Sequence, residues 1–198
     1  MIWETLINQI LQTSWIEIVA VLTGITSIWF SKKINILVYP VGIISLLLYV
    51  YIFYKSEWYA NMALNFFYFL MNIYGWYHWR HPKNDEKELS VTFQNRKGLI
   101  FGIGICLIIF AVIAIITSLL SNSDMQIFDA FTSALGVLGM YLTTQKKVEN
   151  WIYYLIADVM LIPMCIHNGL YFTSLQYIIY TYLAITAFFG WRKEALKS

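Results

Sequence analysis

The sequence predicts an all-α integral membrane protein with seven transmembrane helices, and three observations predict it. Of its 198 residues, 60% are hydrophobic and only 12% are charged, whereas a soluble domain carries about 25% charge and 45–50% apolar residues. Apolar segments approaching or exceeding the roughly 20 residues a bilayer-crossing helix needs recur seven times, broken by short polar stretches. The basic residues alternate along the chain as a membrane topology requires. Half the usual charge cannot cover a globule in water, which excludes soluble domains, nucleic-acid binders and disordered tails. The net charge of +2 implies no anionic partner.

Taken in order, residues 1–14 place Ile2, Trp3, Leu6, Ile7, Ile10 and Leu11 at helical spacing. This is an amphipathic lead-in that lies on the membrane surface or extends the first helix. It carries neither a charged n-region nor a cleavage site, so no signal peptide is expected. The predicted spans are 15–31, 34–54 and 57–79, then 98–120, and then 127–144, 149–168 and 170–191. The one long polar stretch, 80–97 (RHPKNDEKELSVTFQNRK), is a loop between the third and fourth spans, and 192–198 is a polar tail.

Basic residues are retained on the cytoplasmic side of a membrane. With the N-terminus outside and the C-terminus inside, twelve of the thirteen basic residues fall on the inner side, leaving only Lys55 outside. The opposite orientation reverses that count. The polar loop and the tail are therefore expected to be cytoplasmic.

An internal repeat organises the spans. An ungapped offset of 115 residues places Gly24 on Gly139, Lys32 on Lys147, Asn35 on Asn150, Tyr39 on Tyr154, and Gly75-Trp76 on Gly190-Trp191. Asn61 then falls on Gln176, another amide. Matched Lys, Asn, Gly and Trp carry more weight than matched aliphatics in such a composition. Both repeats begin outside and end inside, so they are parallel, and the fourth span (LIFGIGICLIIFAVIAII) is the linker that permits this. The expected layout is a 3+1+3 parallel-repeat arrangement, a transporter architecture with its site at the repeat interface near mid-membrane.

Polar side chains inside the spans are the candidate site. Asp158 lies near the middle of the sixth span, where an ionised carboxylate costs on the order of 3 kcal/mol and needs a partner, a wet cavity or a cation. Trp151 and Tyr154 share its face, seven and four residues earlier. Two aromatics beside a carboxylate suit a flat organic cation; the alternative is a protonated Asp bonded to another helix. Trp151 lies near a span end, which weakens its ligand role. In the third span Asn61, Asn65, Tyr68 and Asn72 form a stripe about 60° wide, which faces protein or cavity rather than lipid. Asn65 and Tyr68 are at ligand depth, while Asn72 suits interhelical bonding. Gln176 and Tyr180 are the seventh-span candidates, and Asn35 and Asn150 are expected to cap or position helices.

The remaining polar and aromatic groups read as structure. Trp3, Trp15, Trp29, Trp58, Trp76, Trp79 and Trp191 lie near span ends, where indoles anchor at headgroup level. Pro40 and Pro163 are expected to kink their spans. Cys106 and Cys165 lie in apolar runs without C-x-x-C spacing and act as small buried hydrophobes. Asp129 and Glu17 lie near outer span ends, where solvated or capping roles are the default. His78 and His81 flank Trp79-Arg80, and His167 stands alone. No metal set, phosphate loop or nucleophile–base pair is evident, so no enzyme, metal or cofactor is expected.

Lys146 to Arg192 (KKVENWIYYLIADVMLIPMCIHNGLYFTSLQYIIYTYLAITAFFGWR) resembles the C-terminal signature of the PnuC family of vitamin transporters. That signature comprises E-N-W, W-x-x-W-x-x-x-N, G-L-Y-x-T and a closing G-[YW]-x-x-W. The first repeat also fits, through IEIVAVLTGI, NILVYPVGI and NIYGWYHW, so the resemblance covers about residues 15–193. It implies a seven-helix 3+1+3 bundle similar to the SWEET sugar transporters, in a bacterial cytoplasmic membrane, and it suggests a homo-oligomer, a trimer. It implies facilitated diffusion of an unphosphorylated vitamin, trapped by a cytoplasmic kinase. The family motif falls on Trp151, Tyr154 and Asp158, where the family has Trp, Trp and Asn, and its third-span Gln falls on Asn65.

Those departures leave the family intact and bear on the substrate. Nicotinamide riboside is the first expectation. Thiamine, also an aromatic cation, is the alternative, and neutral riboflavin fits Asp158 less well. The expected ligand set is Asn65, Tyr68, Trp151, Tyr154, Asp158, Gln176 and Tyr180. The reading from another class is a vitamin-binding membrane subunit that needs a separate energising partner.

Overall fold

The computed structural model describes residues 2–81, 89–120 and 126–197. Residues 82–88 of the expected polar loop, with Lys83 and Lys87, lie outside these, as does the side chain of Trp3. Among the described residues there are eight helices and no strand: α1 (Ile2–Gln12), α2 (Trp15–Lys32), α3 (Val38–Lys55), α4 (Tyr59–Arg80), α5 (Arg96–Leu120), α6 (Gln126–Thr144), α7 (Asn150–His167) and α8 (Tyr171–Ala195). The lead-in is a helix of its own rather than an extension. Ser14 adopts an extended conformation and its Oγ accepts from the Glu17 amide at 3.2 Å, capping α2 afresh.

Six of these helices, α2, α3 and α5 to α8, are long and apolar enough to cross a membrane. A helix spans lipid because every internal N–H and C=O is bonded within the segment. The 22 residues of α4 rise about 33 Å, which matches the bilayer core. Its asparagines Asn61, Asn65 and Asn72 lower its hydropathy and leave it outside the set of six.

The chain forms two compact units, Met1–Ser90 and Val91–Ser198. In the first, α3 packs against both α2 and α4. Two buried hydroxyls tie α2 to α3: Ser27 Oγ donates to the Val38 carbonyl at 2.8 Å, and Ser45 Oγ donates to the Ala20 carbonyl at 2.7 Å. Asn72 is buried, donates to the Tyr68 carbonyl of its own helix at 2.9 Å, and rests its Oδ1 over Gly42. In the second unit α5 packs on α6, α6 on α7, and α7 on α8. Cys106, Leu135, Leu138, Leu142 and Ala157 form its core, and Cys165 is buried as well, in keeping with the hydrophobic role expected of both cysteines.

The two units share an internal plan, but at an offset of 112 residues rather than 115. Adding 112 carries Lys32, Val38, Lys55 and Tyr59, which bound α2 to α4, onto Thr144, Asn150, His167 and Tyr171, which bound α6 to α8. It carries the left-handed turn residues Ile34 and Glu57 onto Lys146 and Gly169, which also have positive φ. It carries the edge-on pair Tyr39–Trp79 (5.1 Å, 87°) onto the edge-on pair Trp151–Trp191 (5.6 Å, 84°). The offset read from matched Lys, Asn and Gly is thus nearly one helical turn too long, and Tyr39 corresponds to Trp151 instead of Tyr154. A slip of three residues leaves side chains on nearly the same helix face, so both registers fit the apolar pattern.

Three further expectations change. Pro40 sits in the first turn of α3, where its missing N–H is not needed and no kink is required; Pro163 is inside α7. Trp79 and Trp191 are buried against Tyr39 and Trp151, so they are core residues rather than headgroup anchors, unlike the exposed Trp15, Trp29 and Trp58. Asn35 does cap its turn, accepting the Leu37 amide at 2.9 Å, but Asn150 makes no cap bond.

Candidate functional site

Helix α7 carries the densest set of candidate residues, because its sequence interrupts an aliphatic run with Trp151, Tyr154 and Asp158 on one face. The Trp151 and Tyr154 rings meet at 6.1 Å and 61°, and Trp151 meets Trp191 of α8 nearly perpendicularly. Tyr154 is locked on its α6 side. Its ring covers Gly139, and its hydroxyl accepts from Thr143 Oγ1 at 3.3 Å and donates to Met140 Sδ at 3.7 Å. Its hydroxyl is therefore committed to protein, and its ring edge is what remains for a ligand.

Asp158 is only 9% exposed, and among the described residues nothing donates a hydrogen bond to it and no base pairs with it. Two other polar groups nearby in sequence are wholly buried and unpaired. The indole Nε1 of Trp151 is buried without a partner, and so are both amide atoms of Asn150. Buried polar groups are bonded in the great majority of cases, and Asn150 and Trp151 are two exceptions at the start of the helix that carries Asp158.

On α8, Gln176 Nε2 donates to Tyr180 Oη at 2.6 Å, joining the two candidates expected there. The register of the α7–α8 hairpin is set by Ser174 Oγ donating to the Ile162 carbonyl at 3.4 Å and by the Trp151–Trp191 contact. That register places Asp158 level with Tyr180 and Thr181. Thr181 Oγ1 is also buried without a partner.

Thr181, Trp191 and Asn150 were not among the expected ligand residues. The hairpin geometry was the available signal for Trp191. A span entered at Trp151 and a returning span left at Trp191 bring the two indoles to one depth.

An apolar cleft of about 250 Å³ is lined by Trp151, Ile152, Leu155, Ile185, Phe188 and Phe189. The Trp151 ring is thus shared between this cleft and the polar face. The cleft has no polar side chain in its lining and cannot by itself orient a hydroxylated ligand.

The first-unit candidates lie on α4. Asn65 Nδ2 donates to the Asn61 carbonyl at 2.9 Å, and the half-buried Tyr68 ring meets Phe67 at 5.9 Å. At the offset of 112, Tyr68 corresponds to Tyr180, whereas Leu46 and Gly42 stand where the second unit has Asp158 and Tyr154. The carboxylate and its aromatic neighbour are thus features of the second unit alone. Among the described residues no three His, Cys, Asp or Glu side chains could hold a metal ion.

A sequence model of the nicotinamide mononucleotide transporter family matches residues 14–193. The chain is 28% identical to the nicotinamide riboside transporter PnuC of Escherichia coli (strain K12), over 92% of this chain and 87% of that protein. It is 26% identical to the riboflavin/roseoflavin transporter RibM of Streptomyces davaonensis, over 60% of this chain and 57% of that protein. Its fold is similar to that in a crystal structure of the vitamin B3 transporter PnuC, with a TM-score of 0.76 and 21% identity, covering 99% of this chain and 88% of that one.

Proposed function

The chain belongs to the nicotinamide mononucleotide transporter family, and on that footing we propose that it carries unphosphorylated nicotinamide riboside across a bacterial inner membrane by facilitated diffusion. The observation that carries the reading is Asp158, a buried carboxylate without a protein partner among the described residues, one turn from Tyr154 and two from Trp151. Nicotinamide riboside has a flat pyridinium ring with a fixed positive charge. The carboxylate balances that charge, the Trp151 ring and the free edge of Tyr154 border the heterocycle on one side, and the orphan indole N–H and Thr181 hydroxyl serve the ribose. Gln176, Tyr180, Asn65 and Tyr68 complete the proposed ligand set.

A mononucleotide adds a phosphate dianion. Every Lys and Arg among the described residues lies near a helix end or between helices, and α7 carries neither, so no such base on α7 stands beside Asp158 to receive it. This supports the riboside over the phosphorylated form. A carrier without an energy source only equilibrates its substrate, and a cytoplasmic kinase that phosphorylates the vitamin is the proposed trap. Thiamine offers the same flat cation, and Asp158 favours it equally; riboflavin, neutral, gains nothing from the carboxylate.

In this reading α4 is a seventh span whose Asn61–Asn72 stripe faces away from lipid, and α5 links two parallel three-helix repeats. The matching internal plans of the two units support that 3+1+3 layout. The N-terminus is outside and the C-terminus inside, following the basic residues.

The test is uptake of labelled nicotinamide riboside by proteoliposomes holding this protein alone, with thiamine and riboflavin beside it. Asp158→Asn is expected to weaken uptake of the cation about tenfold or more, the scale of one lost interaction with a charged group. Unchanged uptake by that variant removes Asp158 from the site. Binding without uptake points to a subunit that needs an energising partner.

A further inference from the structure

The turn that leads into α7 is held from outside, whereas its counterpart in the first unit closes on itself. Between α2 and α3, Asn35 Oδ1 accepts the Leu37 amide two residues on. Between α6 and α7, the extended residues 92–94 lie along the turn, and Thr92 forms a parallel bridge with Lys147. The Thr92 amide donates to the Lys146 carbonyl at 3.1 Å, and the Val148 amide donates to the Thr92 carbonyl at 3.1 Å. Lys147 Nζ donates to Thr92 Oγ1 at 2.7 Å. The Gln94 amide is forked between both carboxylate oxygens of Glu149, at 3.0 Å each.

Bonds to an ionised acceptor are the stronger kind, and Glu149 also sits at the N-terminal boundary of α7, where negative charge is favoured. The Glu149 carboxylate is therefore committed to structure, two residues before Trp151. The same segment runs straight into α5, where Asn95 Oδ1 accepts the Gly98 amide at 2.6 Å. One short segment thus ties the start of α5 to the start of α7. It is found in the unit that carries Asp158.

We propose that Thr92–Gln94 is a clasp that fixes the first turn of α7, with Glu149 and Lys147 as positioning residues for the ligand face that begins at Trp151. This rests on the reading of α7 as the ligand helix. A binding side chain works only when its backbone is held to a fraction of an ångström. The clasp does that from the polar side of the turn, without touching the ligand. It stays closed through the transport cycle, so that α5, α6 and α7 move as one body.

The experiment compares Glu149→Ala, Glu149→Gln and the double variant Thr92→Cys/Lys147→Cys in the full chain. Glu149→Ala is expected to speed amide hydrogen exchange over residues 148–152 and to raise the KM for nicotinamide riboside uptake, each about tenfold, with Vmax within about twofold. Glu149→Gln keeps one acceptor for the Gln94 amide and is expected to recover part of both losses. The two cysteines replace a bridged pair, close enough for a disulfide, and uptake is expected to persist after oxidation.

Unchanged exchange and KM in Glu149→Ala overturn the clasp as a positioning device, and loss of uptake on oxidation, recovered on reduction, overturns its permanence. Absence of uptake by the unaltered protein sinks the transport reading instead, and the exchange measurement still decides whether the clasp holds α7.

Discussion

The ring of Tyr154 lies flat enough against Gly139 that a Cβ on that glycine would fall 2.9 Å from Cε1 and 3.1 Å from Cδ1 and Cζ. Real Cβ atoms do not approach ring carbons so closely, and Thr143 and Met140 hold the phenol from its far end. Gly139→Ala is therefore expected to push the ring outward, at about 1–3 kcal/mol of stability for the overpacking. The displaced ring then spoils the ligand face as well. Gly104→Ala is the control, since nothing lies within 4 Å of a Cβ there. The first variant is expected to unfold earlier and to raise the KM of uptake, whereas the second leaves the KM unchanged and unfolds no earlier than the parent protein.

Trp151 separates stability from function. Its indole N–H is buried with no partner, and an orphan donor costs about 1–3 kcal/mol of desolvation. Trp151→Phe removes the orphan and keeps an aromatic ring against Trp191 and the α7–α8 cleft. The variant is expected to unfold no earlier than the parent protein while its KM for nicotinamide riboside rises. A loss of stability with unchanged KM would assign the indole ring to packing alone.

The parts of this molecule that the sequence discloses are those in which one residue breaks a local pattern. Asp158 stands out because a carboxylate in an aliphatic run is costly anywhere in a bilayer. The α4 stripe stands out because Asn61, Asn65 and Asn72 recur at helical spacing. What is hidden depends on how helices slide and pair. Trp191 looks like any indole at a span end until Trp151 is known to stand beside it. The repeat offset misses by one turn because adjacent turns of a helix present the same face. The clasp is illegible for a plainer reason: Thr92 and Lys147 are 55 residues apart, and nothing in either segment's composition points to the other.

Gln176 and Tyr180 share a 2.6 Å bond on one face of α8. If both serve the ligand, Gln176→Ala disturbs the site twice, by removing an amide and by releasing the tyrosine hydroxyl it fixes. Gln176→Ala, Tyr180→Phe and the double variant form a cycle whose stability coupling is expected near 0.6 kcal/mol, about the average for interhelical and polar contacts in membranes. In uptake, Tyr180→Phe added to Gln176→Ala is expected to cost less than Tyr180→Phe alone. Strict additivity would mean that the two side chains act independently.

The status of α4 turns on which side of the membrane its ends lie. Its hydropathy falls short of the other long helices because of its amides, yet its 22 residues are enough to cross. A surface helix would need one wholly polar face, whereas here the polar stripe is narrow and Phe66, Phe67, Leu70 and Ile73 are exposed on the remaining circumference. Exposed aromatic and aliphatic side chains over that much of a helix are matched by lipid and not by water. Single cysteines at Ser56, before α4, and at His81, after it, are therefore expected to react with a membrane-impermeant maleimide from opposite sides of sealed vesicles. Cys106 and Cys165 are buried and contribute little background. Labelling of both new cysteines from one side would leave six spans and remove the parallel repeat, because the second three-helix set would then enter the membrane in the opposite sense to the first.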